Sequence, residues 1–142
     1  PGIVGLGVAA ALALEDMEAD TARMRALRDR LERGVVERIP FARVNGVGAG
    51  RVANTSNIRF GDMEAEIILD RLDRAGICAA LGAACTAGGS EASHVLTAMG
   101  LDRRAARASV RFSLSRYTTD AEIGRVLELL PGIVDGLTAA AA

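Results

Sequence analysis

Apolar positions recur first at helical spacing. From Ile3 to about Arg38 nothing interrupts a helix, and Met24, Leu27, Leu31 and Val35 form a stripe along its second half. At ~1.5 Å per residue such a helix would reach roughly 50 Å, longer than a domain of this size needs. Its first half, Ile3 to Leu14, is apolar nearly all round, so something outside the chain is expected to cover it. Pro40 ends the helix, and the Gly-rich stretch from Asn45 to Asn57 reads as a loop leading into a short strand at Ser56 to Phe60. Asp62 is placed to cap a helix over Met63 to Ala75, with Glu64 and Glu66 in its positive first turn and Gly76 as its stop. Ile77 to Leu81 predicts a short buried strand, and Gly82 to Gly89 a mobile loop whose small side chains give little anchorage. Ser93 to Met99 reads as a short helix closed by Gly100.

The clearest alternation runs from Ala108 to Ser115, where Ala108, Val110, Phe112 and Leu114 form an apolar face and Ser109, Arg111, Ser113 and Ser115 a polar one. Thr119 with Glu122 makes a capping box for a last helix, whose Ile123, Val126, Leu127, Leu130, Val134 and Leu137 share one side. Pro131 predicts a kink in it, and Ala139 to Ala142 a frayed end. Strands and helices alternating over short spans, with no internal repeat, predict an α/β two-layer sandwich.

Composition sharpens this picture. At 142 residues, 50% hydrophobic and 25% charged, the chain suits one globular domain with a core of its own. A net charge of -1, with the arginines from Arg23 to Arg38 interleaved with acids, excludes a phosphate-backbone footprint, so nucleic acid is not expected as a partner. No apolar run spans a bilayer and no basic secretory n-region opens the chain, so a cytoplasmic protein without membrane contact is expected. Two cysteines seven residues apart are then expected to be free thiols. A start at Pro1, inside a helix, predicts a piece of a longer polypeptide. The chain contains no lysine, which excludes chemistry that needs a side-chain amine.

Cys85 lies in GAACTAGG, a run of the smallest side chains, which offers the access a nucleophilic thiol needs; the alternative is a small hydrophobe in a tight turn. Cys78, between Ile77 and Ala79, reads as an inert buried residue. Arg111 projects from the polar face of a core strand, where a guanidinium can clamp a carboxylate, or simply be solvated or paired with an acid. Arg116 is a weaker candidate of the same kind. His94, with Cys78 and Cys85, is a conceivable metal set, but the spacing is not that of a zinc site, and His94 reads as a helix-start residue. Gly2, Gly5 and Gly7 match no phosphate-binding motif.

The stretches TSNIRF, EAEIILDRLDRAGICA, GAACTAGGSEASHVLTAMG and SVRFSLSRYTTDAEI, in this order between Thr55 and Thr119 and beyond, resemble the C-terminal part of NifS/IscS-type cysteine desulfurases, pyridoxal-phosphate enzymes of the class V aminotransferase superfamily. PGIVGLGVAAALA at the start is similar to the helix that follows the large domain in that family. The resemblance implies the small domain of a fold-type I enzyme: a small, mainly antiparallel sheet with helices packed on it over residues 39–142, preceded by a linking helix over 1–38. It implies that Cys85 takes sulfur from L-cysteine and holds it as a persulfide on a swinging loop, and that Arg111 holds the substrate carboxylate. It further implies a homodimer, a sulfur acceptor such as an iron-sulfur scaffold protein, and a large domain supplying pyridoxal phosphate and its lysine. Without a lysine this chain alone is expected to be inactive. A selenocysteine lyase and a stand-alone persulfide carrier remain as alternatives.

Overall fold

A computed structural model describes residues 1–81 and 92–140, with side chains up to residue 138. The loop expected at Gly82 to Gly89, with Cys85, lies outside the described residues, as do the side chains of the expected frayed end.

Helix α1 (Gly2–Arg38) is the continuous helix the spacing predicts. Its second half packs on the rest of the chain, burying Leu27, Leu31 and Val35, and Asp16 and Asp20 before it reach Arg116. The stretch from Ile3 to Leu14 stands free: Ile3, Leu6 and Leu14 are 89%, 72% and 68% exposed. After Pro40 a short strand, β1 (Ala42–Val44), pairs with β2 (Thr55–Phe60). Helix α2 (Ala65–Arg74) follows, then β3 (Ala80–Leu81), α3 (His94–Ala98), α4 (Arg103–Arg107), β4 (Ser109–Ser113) and α5 (Asp120–Ala140).

The strands form one sheet in the order β1-β2-β4-β3, with every pairing antiparallel. Register sorts the side chains by face, because neighbours along a strand point to opposite sides. Ile58 opposite Val110, and Phe60 opposite Ala42, are fully or almost fully buried on the face covered by α1, α2 and α5. Ile68 and Leu72 of α2 and Leu130 and Val134 of α5 complete that core, each 0% exposed. The intervening pairs, Asn57 with Arg111 and Arg59 with Ser109, lie on the other face. Helices α3 and α4 come to that side, where the Ser109 hydroxyl donates to the Ala105 carbonyl at 2.8 Å.

The capping box is present as predicted. The Thr119 N–H and hydroxyl both donate to one Glu122 oxygen, at 2.7 and 2.9 Å, and the Glu122 N–H reaches back to the Thr119 hydroxyl at 3.3 Å. These donors hold the Glu122 carboxyl below the usual carboxylate range, the Thr119 backbone N–H contributing most. Helix α5 continues through Pro131 to Ala140. Gly76 (φ 76°) stops α2 as expected, with the Ile77 N–H donating back to the Leu72 carbonyl at 2.9 Å.

Several expectations are corrected. Asp62 does not cap α2: the turn at Gly61 lets the Met63 N–H bond to the Phe60 carbonyl, which delays the helix until Glu64 is its N-cap. Asp62 instead lies 3.1 Å from Arg104. Cys78 is exposed, because Ile77 turns inward after the helix stop and the next side chain must point out. The strand predicted from Ile77 begins only at Ala80, and it is half-buried. Strand β1 and helix α4 went unpredicted, being three and five residues long.

Candidate functional site

On the sheet face away from the large helices, a cavity of about 520 Å³ opens between β2, β4, α3 and the loop after β1. Asn57 and Arg111 project into it from directly opposed positions on neighbouring strands. Val95, Leu96 and Met99 form an apolar wall, and Ala49, Gly50 and Val52 a second side. Among the described residues, the Arg111 Nε is buried and has no hydrogen-bond partner. A buried donor on an obligate cation without an acceptor is costly in a folded protein, so the geometry favours an anion in this cavity. A planar guanidinium matches a carboxylate through paired hydrogen bonds.

Other arginines near this face are committed. Arg43 donates to the carbonyls of Pro40 and Ala42 at 2.7 and 2.8 Å, and Arg59 to that of Gly61 at 3.0 Å. Arg51 grips both oxygens of Glu32 at 2.7 and 3.0 Å, and that hydrogen bonding raises its already high pKa. The Arg51 clamp ties the cavity's loop wall to α1, and Arg28 assists by donating to the Val52 carbonyl at 2.8 Å.

The other predicted residues fall elsewhere. Arg116 is tied to α1, lying 2.7 Å from Asp16 and 3.3 Å from Asp20, so it is a strut between the strand end and the long helix. Hydrogen bonding to Asp16 and the charge of Asp20 raise its pKa further. His94 is the exposed first residue of α3, and among the described residues no cluster of His, Cys, Asp or Glu could hold a metal ion. Cys78 borders a separate cavity of about 300 Å³, with Glu122 and Arg125, outside the Arg111 cavity. Cys85 lies outside the described residues. Sequence reading missed Asn57, Asn45 and Ser93. Asn57 carries no motif, and only its register opposite Arg111 reveals its place.

A family model described as aminotransferase class-V matches residues 1–126. The chain belongs to the class-V aminotransferase family. It is 52% identical over 139 residues to cysteine desulfurase 2 of Trichormus variabilis, covering 98% of this chain and 35% of that protein. It is 54% identical over 139 residues to a cysteine desulfurase of Cereibacter sphaeroides, covering 98% of this chain and 35% of that protein. Cysteine desulfurase NifS of Azotobacter vinelandii is 50% identical over 132 residues, 93% of this chain and 33% of NifS. A solved structure of a NifS-like protein from Rickettsia africae superimposes with a TM-score of 0.80 at 28% identity, covering 94% of this chain and 34% of that one. The likeness to cysteine desulfurases read from the motifs is therefore found, and so is the antiparallel small-domain fold it implied. This class-V aminotransferase chain spans about a third of the length of the curated relatives it matches.

Pyridoxal phosphate, the cofactor implied by the resemblance, needs an amine to hold its aldehyde, and this chain has no lysine. Its residues therefore do not fit that group. What they do fit is a carboxylate beside an apolar wall.

Proposed function

We propose that this chain is the C-terminal, small-domain part of a cysteine desulfurase, with residues 1–38 as linking helix and 39–142 as the α/β sandwich. Arg111 holds the carboxylate of L-cysteine, and Cys85 receives its sulfur. In the net step the substrate's C–S bond breaks, an S–S bond forms to Cys85, and a proton takes the place of sulfur on carbon. L-Cysteine and a thiol thus give L-alanine and a persulfide with no external oxidant. A thiolate performs this attack better than a thiol, so the assembled site must favour deprotonation of Cys85. Pyridoxal phosphate, held by residues outside this chain, would supply the electron sink.

The observation that carries the reading is the buried Arg111 Nε, without a hydrogen-bond partner among the described residues, at a cavity with room for an amino acid. The exposed apolar first half of α1 supports a covering domain, because surfaces of that kind mark interfaces. We also place the enzyme in the cytoplasm, where its thiols stay reduced. We further place the whole enzyme as a homodimer that passes its sulfur to an acceptor such as an iron-sulfur scaffold. A stand-alone persulfide carrier is the second reading, favoured by the absence of lysine; the uncovered α1 surface speaks against it.

The test is a mass measurement. The protein is expressed from its complete reading frame, incubated with L-cysteine and pyridoxal phosphate, and digested without reductant. One added sulfur on the Cys85 peptide is the expected result. An unmodified Cys85 peptide in folded, cofactor-loaded protein would overturn the desulfurase assignment.

A further inference from the structure

A chain of hydrogen bonds fixes which end of the Asn57 amide faces the Arg111 cavity. The Ser109 hydroxyl gives its only proton to the Ala105 carbonyl at 2.8 Å, so its oxygen can only accept from anything else. The group that meets it at 3.0 Å must therefore be the Asn45 amide nitrogen, not the Asn45 oxygen. That same nitrogen lies 2.6 Å from the Asn57 side chain, which must present its oxygen there. Ser109 is 1% exposed, and the Asn45 N–H donates to the Asn57 carbonyl at 2.8 Å, so the relay is braced by backbone at both ends. With the Asn57 oxygen committed to Asn45, its NH2 remains for the cavity that Asn57 and Arg111 share.

We propose that Asn57 is a second carboxylate donor beside Arg111, and that Asn45 and Ser109 are positioning residues that hold its amide polarity. The proposal rests on the reading of Arg111 as the carboxylate grip and deepens it. An Asn flipped the other way would turn an acceptor toward the guanidinium and satisfy it internally; the relay forbids that and leaves two donors for one anion. Ser93 gives independent support. It is 5% exposed, its hydroxyl has no partner among the described residues, and it lines the same cavity.

The test uses the enzyme from its complete reading frame and two readouts: KM and kcat for alanine formation from L-cysteine, and calorimetric binding of L-alanine. Asn57→Ala should raise KM and the L-alanine Kd by about 10-fold, with a smaller effect on kcat, because a hydrogen bond to a charged group is lost in ground and transition states alike. Asn57→Asp keeps the oxygen that Asn45 needs, so it preserves the fold, and it sets a carboxylate against Arg111; L-alanine binding should be lost. Asn57→Ala combined with Arg111→Ala should cost less than the product of the single effects, since both groups hold one carboxylate. Wild-type affinity in both Asn57 variants, with Arg111→Ala impaired, would overturn the role of Asn57 and leave the Arg111 reading standing. Wild-type affinity in Arg111→Ala would overturn that reading itself.

Discussion

Gly34 sets the distance between the two helices beneath the sheet. It is buried in α1 against α5, and a Cβ there would lie 2.7 Å from both methyl carbons of Leu127 and 2.9 Å from an Arg38 nitrogen. Ordinary carbon contacts need roughly 3.5–4 Å, so each methyl falls short by about 1 Å. Because both are equally close, a rotation that exchanges them brings no relief, and Leu127 or the helix spacing must move. Overpacking of this kind costs about 1–3 kcal/mol. Against it stands the helix preference for Ala over Gly, about 1 kcal/mol. Gly34→Ala should therefore destabilise the chain by about 1 kcal/mol, although the same change on an open helix face would stabilise it. Leu127→Ala alone should cost about 2 kcal/mol, near the low end for such truncations because Leu127 is 8% exposed. In the double variant the new methyl enters the vacated space, so its cost should fall short of the sum by about 1 kcal/mol. Urea unfolding followed by far-ultraviolet circular dichroism, on all four proteins at a concentration where midpoints no longer change, measures the cycle. A stabilising Gly34→Ala whose effect simply adds to that of Leu127→Ala would refute the close approach.

Two further predictions concern single groups. The Glu122 carboxyl is held below its usual range by Thr119, so its stabilising effect is fully present above the unfolded-state pKa and is lost as pH falls through the folded one. The urea midpoint of Glu122→Gln should therefore lie below wild type at neutral pH and converge with it on acidification; a gap that stays constant with pH contradicts the cap. Cys78 is exposed, so a Cys85→Ser variant should still react promptly with a maleimide under native conditions. A thiol that labels only after denaturation would return Cys78 to the core.

The long periodic segments were legible because their pattern is redundant. About three turns of stripe from Met24 to Val35 define α1, and β4 declares its faces by alternation of Val110 and Phe112 with Arg111. Short elements carry no such redundancy. Ala42 to Val44 is a strand only because Ala42 pairs with Phe60, and the one local sign of α4 is Asp102, whose side chain accepts from the Ala105 N–H at 2.7 Å. Asp62 misled because its composition suits a cap, while the Gly61 turn decides where the helix can begin. Arg111 was legible as a polar residue on a core strand. The Asn45 to Asn57 to Ser109 relay was not, because it joins residues 12 and 64 positions apart. No local pattern reports such a contact; the sheet register does.

The central claim, that this chain serves a cysteine desulfurase through Arg111 and Cys85, is tested most directly by alanine formation. Protein from the complete reading frame is loaded with pyridoxal phosphate, given L-cysteine, and compared with its Cys85→Ser and Arg111→Ala variants. The account predicts L-alanine from the wild type, none from Cys85→Ser, and a strongly raised KM in Arg111→Ala. No L-alanine from the folded, cofactor-loaded wild type would contradict it.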